Sequence, residues 1–144
     1  MNISVHTFIL FFPVLCSLST VLRGASSAEM NSAFVSGRVW EDANYNGIQD
    51  GAAPEPGIAN VSVELLYAGA DGLFGEGNDD EVWQTLTGST GEYQFDALVP
   101  GNYRLQVADG PENYLLTLAN QGGDDNSDSD AAPFAGFTIS GTDD

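Results

Sequence analysis

The sequence predicts an all-β protein, an antiparallel β-sandwich of about seven strands, and three observations carry that reading. From residue 34 onward apolar residues alternate with polar ones or fall in short runs, the period of strands. Gly, Asn, Asp and Pro bound those runs, as turn residues do. No stretch has the 3.6-residue spacing of a good amphipathic helix. The strand candidates are 34–40, 61–67, 82–87, 91–95, 103–107, 114–118 and 134–139. Short strands joined by turns bury their apolar faces best as two packed layers.

The first element is not one of these strands. Residues 8–22 (FILFFPVLCSLSTVL) form an apolar run of fifteen interrupted by Pro13, whereas a bilayer-spanning helix takes about 20. The run reads as the apolar region of a secretory signal peptide, although no Lys or Arg precedes it. Ser26-Ser27-Ala28 supplies the small residues a signal peptidase reads, so cleavage is expected after Ala28. Leu15 stands before Cys16, where lipid attachment usually requires a small residue. The expected organisation is a leader at 1–28, a short linker at 29–33 and one domain at 34–144. The mature chain is then secreted, with no membrane insertion.

Removing the leader changes the available chemistry. Residues 29–144 contain no Cys, His or Lys, and their 21 acidic residues face only Arg38 and Arg104, a formal charge of −19. Such a chain repels nucleic acids and anionic membranes. It attracts divalent cations or basic partners, because crowded carboxylates repel one another until a cation sits among them. The usual nucleophiles and proton shuttles are missing, which argues against an enzyme. A small secreted domain without disulfides often relies on metal.

Along the domain, Val61-Ser62-Val63-Glu64-Leu65 and Tyr103-Arg104-Leu105-Gln106-Val107 alternate strictly, each presenting one apolar face. The connections 68–80 (AGADGLFGEGNDD) and 119–130 (ANQGGDDNSDSD) are longer than hairpins need. They read either as solvated loops or as further Ca²⁺ loops.

The sharpest motif follows the first strand of the domain: Asp42-Ala43-Asn44-Tyr45-Asn46-Gly47-Ile48-Gln49-Asp50. Oxygen-bearing side chains at Asp42, Asn44 and Asn46 occupy positions 1, 3 and 5 of an EF-hand-like loop, and Gly47 at position 6 allows the sharp turn. Ile48 offers its carbonyl at position 7, and Asp50 stands at position 9. Ala53 occupies position 12, where a bidentate carboxylate is expected, and Glu55 two residues later fills that role if residues 51–53 bulge outward. Ca²⁺ takes six to eight hard oxygens in a flexible shell, which alternate residues of a tight turn deliver. The competing reading is an Asn/Asp/Gly turn that caps itself through side-chain to backbone hydrogen bonds.

Several further segments extend the pattern: Gly37-Arg38-Val39-Trp40-Glu41-Asp42, Glu55-Pro56-Gly57-Ile58, Ala70-Asp71-Gly72-Leu73-Phe74-Gly75, Thr90-Gly91-Glu92-Tyr93-Gln94-Phe95 with Val99-Pro100-Gly101-Asn102-Tyr103, and Asp128-Ser129-Asp130. In this order they resemble the SD-repeat B-type (SdrD B-like) domains of bacterial surface and secreted adhesins. The resemblance implies an Ig-like or prealbumin-like sandwich that binds Ca²⁺ and serves as a stiff spacer or stalk in cell adhesion. It implies ligand roles for Asp42, Asn44, Asn46, Asp50 and Glu55, and less firmly for Asp128 and Asp130. It also implies a closing strand beyond residue 144. The Lys–Asn isopeptide bond of related B-type domains is excluded, because the sequence has no lysine.

The alternative is a carbohydrate- or protein-binding module with an extracellular protein or glycan as partner. Trp40, Tyr45, Trp83 and Tyr93 decide it: Trp40 and Tyr93 are expected in the core, and an exposed coplanar Trp83 and Tyr45 would favour sugar stacking. Asn60-Val61-Ser62 is an N-glycosylation sequon, meaningful only in a eukaryotic host.

Overall fold

The computed structural model describes residues 6–11, 33–49, 55–110, 114–119, 121, 127, 129 and 135–139. They form eight strands: β1 (His6–Phe11), β2 (Ala33–Glu41), β3 (Ser62–Tyr67), β4 (Glu81–Leu86), β5 (Glu92–Leu98), β6 (Gly101–Asp109), β7 (Tyr114–Leu116) and β8 (Ala135–Ile139). No helix occurs among the described residues, so none there is long and apolar enough to cross a membrane. The strands make two four-stranded sheets, β5-β2-β1-β7 and β4-β3-β6-β8. All pairings are antiparallel except the parallel contact of β1 with β7.

The alternating sequences place the core between the sheets. Val35, Val39, Tyr93, Phe95 and Leu98 from the first sheet meet Val63, Leu65, Tyr103 and Leu105 from the second, with Val61 at the entry to β3. Each such residue contributes about 1.5–3 kcal/mol by leaving water. Cross-strand partners Tyr67 and Tyr103 stack at 5.0 Å, and Tyr103 stacks on Phe137 at 5.5 Å. Trp83 joins the same row beside Tyr67 and Tyr103.

All seven expected strands are present, with shifted ends. β2 starts at Ala33, inside the expected linker. β5 runs three residues beyond the expected end, because its pairing with β2 shifts register between Ala33 and Val35 and Ala97 takes a positive φ of 58° to absorb the extra residue. β7 ends at Leu116, and just beyond it the Thr117 hydroxyl reaches Asp42. Residues 6–11 were expected in and beside the leader's apolar run, and they form β1. A short apolar stretch has the composition of a leader and of a buried strand alike.

The chain changes sheet between β5 and β6, and the Tyr103 hydroxyl pins that step by donating to the Val99 carbonyl at 2.7 Å. The Tyr103 phenol is pushed up to about 12 by burial first, then by Tyr67 and Glu81. An unfolded tyrosine titrates near 10, so the fold holds this proton more tightly. The resulting stabilisation, on the order of 2 kcal/mol, is complete below about pH 10 and lost as pH rises toward 12. Urea midpoints are therefore expected to fall across that window, and Tyr103→Phe to flatten the fall. An equal fall in both proteins would remove Tyr103 as the cause.

Candidate metal-binding loop

The loop begins where β2 leaves its sheet. The backbone fixes both of its carboxylates before any side chain is considered. Trp40 bridges Gly57 in antiparallel register, and the Glu41 amide donates to the Pro56 carbonyl at 2.9 Å. Carried two residues further, this register sets Asp42 opposite Glu55. The Ile58 amide donates to the Val39 carbonyl at 2.9 Å, holding residues 55–58 along β2. Asp42 is 1% exposed and Glu55 9%, and the Glu55 Oε1 atom is shut off from solvent. Two buried carboxylates at one position are costly unless a cation or several donors meet them.

Asp42 is met by three donors. Its Oδ1 accepts the Asn46 amide at 3.2 Å, and its Oδ2 accepts the Gly47 amide at 2.9 Å and the Thr117 hydroxyl at 2.6 Å. Asn44 Oδ1 accepts the Asn46 amide at 3.1 Å, and Asn46 Oδ1 accepts the Ile48 amide at 2.8 Å. The side-chain oxygens of positions 1, 3 and 5 thus all turn onto the loop's own backbone. This is the self-capping turn, and it is compatible with a cation: a carboxylate offers about four lone-pair sites, of which Asp42 uses three. Tyr45 and Gly47 take positive φ of 62° and 75°. Gly47 is required for a second reason, since a Cβ there would stand 2.6 Å from the Leu118 carbonyl oxygen.

A third segment closes over the loop. The Gln49 amide donates to the Ser127 carbonyl at 2.6 Å, and the Ser129 amide donates to the Gly47 carbonyl at 2.9 Å. Ser129 is fully buried. The Asp-Ser-Asp segment singled out in the sequence is therefore tied to the loop through its serine. Asp128 and Asp130 themselves lie outside the described residues, as does Asp50. Among the described residues no group of three or more His, Cys, Asp or Glu side chains is gathered for a metal. The described oxygen donors are the carboxylates of Asp42 and Glu55, the carboxamides of Asn44 and Asn46 and the Ile48 carbonyl.

Sequence reasoning missed Thr117, which reaches Asp42 from 75 residues away. Tyr114 was also missed: its phenol is pushed above the ordinary range by burial, then by the Glu41 carboxylate, which repels the phenolate and accepts a hydrogen bond from the phenol.

Loop 68–80 is a second acidic turn built the same way. Asp79 Oδ2 accepts the Ala70 amide at 2.8 Å, Asp71 Oδ1 the Leu73 amide at 2.8 Å and Asp80 Oδ2 the Gly75 amide at 2.6 Å. Trp40 and Tyr93 are core residues, as expected. Trp83 is half-buried in the tyrosine row, while Tyr45 is 59% exposed on the loop.

The family model for the SdrD B-like domain matches residues 33–142. Serine-aspartate repeat-containing protein F of Staphylococcus epidermidis is 40% identical over 91 residues, 63% of this chain and 5% of that protein. Serine-aspartate repeat-containing protein C of Staphylococcus aureus is 39% identical over 98 residues, 68% of this chain and 9% of that protein. The match thus spans less than a tenth of the length of either relative.

Proposed function

The chain belongs to the SdrD B-like domain family, and from that premise we propose that residues 29–144 are exported as a Ca²⁺-binding sandwich module with a structural, spacer-type role in adhesion. The observation that carries this reading is the placement of Asp42 opposite Glu55, both buried, with Asn44 and Asn46 turned into the same loop. Asp42, Asn44, Asn46, Ile48 and Glu55 would hold the ion, joined by Asp50 and, from the segment tied through Ser129, by Asp128 or Asp130. Bound Ca²⁺ would offset the repulsion within a chain of charge −19 and clamp the loop to residues 127–129. A role of this kind needs stiffness and no catalytic group. The extracellular partner is a protein or a glycan.

The test is thermal unfolding of residues 29–144, and of the whole chain in parallel, with excess Ca²⁺ and with chelator. A hundredfold excess over Kd stabilises by about 2.7 kcal/mol, or roughly 10 °C in Tm for a domain of this size. Asp42→Ala is expected to abolish most of that increment. A stoichiometry above one ion would direct attention to loop 68–80. Identical melts with Ca²⁺ and with chelator would end the calcium reading.

A further inference from the structure

Asn46-Gly47 is the only Asn-Gly pair in the sequence, and it stands at the sharpest point of the acidic loop. Asparagine is a thermolabile residue, most so before glycine, where no side chain obstructs attack of the following backbone nitrogen on the asparagine side chain. The loop has no safer residue to use at position 47. There φ is +75°, and a Cβ would stand 2.6 Å from both the Leu118 carbonyl oxygen and Gln121 Cγ. The closed loop, however, ties down both reacting groups. The Gly47 nitrogen, the nucleophile, is buried and donates its proton to Asp42 Oδ2 at 2.9 Å. The Asn46 carboxamide, the electrophile, is held through Oδ1 by the Ile48 amide at 2.8 Å. On the far side of Gly47, its carbonyl accepts the Ser129 amide at 2.9 Å.

We propose that Asn46 is a self-modification site gated by this loop: closed, the loop protects it, and opened, the loop converts irreversibly into a form that no longer closes as before. In the open loop the Gly47 nitrogen attacks Asn46 Cγ. The N–Cγ bond forms as the Cγ–Nδ2 bond breaks, and the Gly47 amide proton leaves on Nδ2 as ammonia. Water then opens the five-membered imide. Cleavage at Cγ gives aspartate; cleavage at the main-chain carbonyl carbon gives isoaspartate, which carries Cβ and Cγ in the backbone. Isoaspartate adds one backbone atom between the nitrogens of residues 46 and 47, both of which Asp42 holds, and displaces the Gly47 carbonyl from Ser129. Aspartate keeps the backbone and adds a carboxylate at the fifth loop position. The rate follows the population of open loop, as for any slow modification behind a fast opening. The two bonds at the reacting groups correspond to about tenfold or more in that population. The gating stands on these bonds alone; its consequence for Ca²⁺ rests on the function proposed above.

The experiment incubates the whole chain at one mildly alkaline pH in chelator, in Ca²⁺, and in chelator with guanidinium chloride. Peptide mapping reads the amide-to-acid mass gain at Asn46, and enzymatic methylation of isoaspartate reads the rearranged product. The unfolded chain is expected to convert at Asn46 ahead of every other asparagine. The folded chain in chelator should convert more slowly by about tenfold or more, and Asp42→Ala should return it toward the unfolded rate. If Asp42→Ala does not fold, hydrogen exchange of the Gly47 amide in the parent chain across sub-denaturing urea takes its place. Conversion that rises in proportion to exchange supports the gate, and conversion independent of exchange overturns it. Equal or faster conversion in the folded chain overturns it too, as does an unfolded chain in which Asn46 persists. The isoaspartate form, separated by ion exchange, should melt below the parent in chelator; an equal melt would overturn the loss of closure. The Ca²⁺ arm tests the metal reading separately. Slower conversion in Ca²⁺ supports both readings, whereas a rate unchanged by Ca²⁺ counts against the metal and leaves the gate standing on the chelator results.

Discussion

Gly91→Ala is expected to remove at least about 4 kcal/mol of stability, enough to leave the domain largely unfolded if it has the usual 5–15 kcal/mol. Gly91 has φ of +85°, and a Cβ there would stand 2.1 Å from the Val39 carbonyl oxygen and 2.8 Å from Gly57 Cα. Both are backbone atoms and cannot swing aside. The left-handed conformation costs a non-glycine residue about 1–2 kcal/mol before any clash. The clash falls where the Val39 amide donates to the Gly91 carbonyl at 2.8 Å. Gly57→Ala should be as severe, with its Cβ 1.8 Å from the Thr90 oxygen. Gly88→Ala is the control, since the nearest atom its Cβ would meet is 3.8 Å away. Urea unfolding in chelator compares the three. Equal midpoints for Gly91→Ala and Gly88→Ala would show that the two glycines do not set how closely β2 and the 55–58 segment approach.

The second large effect is expected at Asp42 without any metal. Asp42→Ala removes the acceptor of the Gly47 amide and the Thr117 hydroxyl beside a side chain that is 1% exposed, while the Asn46 amide keeps Asn44 Oδ1. Each unsatisfied buried group costs about 1–3 kcal/mol, so about 2 kcal/mol or more should be lost in chelator. Asp42→Asn keeps one acceptor oxygen and should lose roughly half as much by the same accounting. The comparison separates the cap from the metal ligation proposed for the residue. The loss in chelator reports the cap, and the Ca²⁺-dependent increment reports the ion. A chelator midpoint unchanged by Asp42→Ala would show that the loop is organised by something else.

What the sequence made legible follows from which interactions are local. Alternation in Val61-Ser62-Val63-Glu64-Leu65 is visible over five residues, and it put Val63 and Leu65 on the core face where the structure has them. The turn at Gly47 is likewise local, because its neighbours on both sides carry the oxygens that cap it. Glu55 was recognised as a candidate while its place was left conditional on a bulge; what decides it is the bridge between Trp40 and Gly57, a tertiary contact. Thr117 was illegible for the same reason. The strand at residues 6–11 was not foreseen because apolar composition alone does not separate a leader from a strand. Asp50, Asp128 and Asp130 lie outside the described residues, so the part proposed for Asp50 rests on spacing, and that for Asp128 and Asp130 on the family resemblance and the neighbouring Ser127 and Ser129 bonds.

The bonds from Gln49 to Ser127 and from Ser129 to Gly47 have a mechanical meaning. They tie points near opposite ends of the domain's sequence, so part of any tension pulled along the chain passes across this tie. The ladders of β2 with β5 and of β6 with β8 share that load, and extending residues 49–127 once tie and ladders have yielded would lengthen the chain by roughly 250 Å. On the proposed spacer role, whatever strengthens that tie raises the force at which a rod of such modules gives way to a tether.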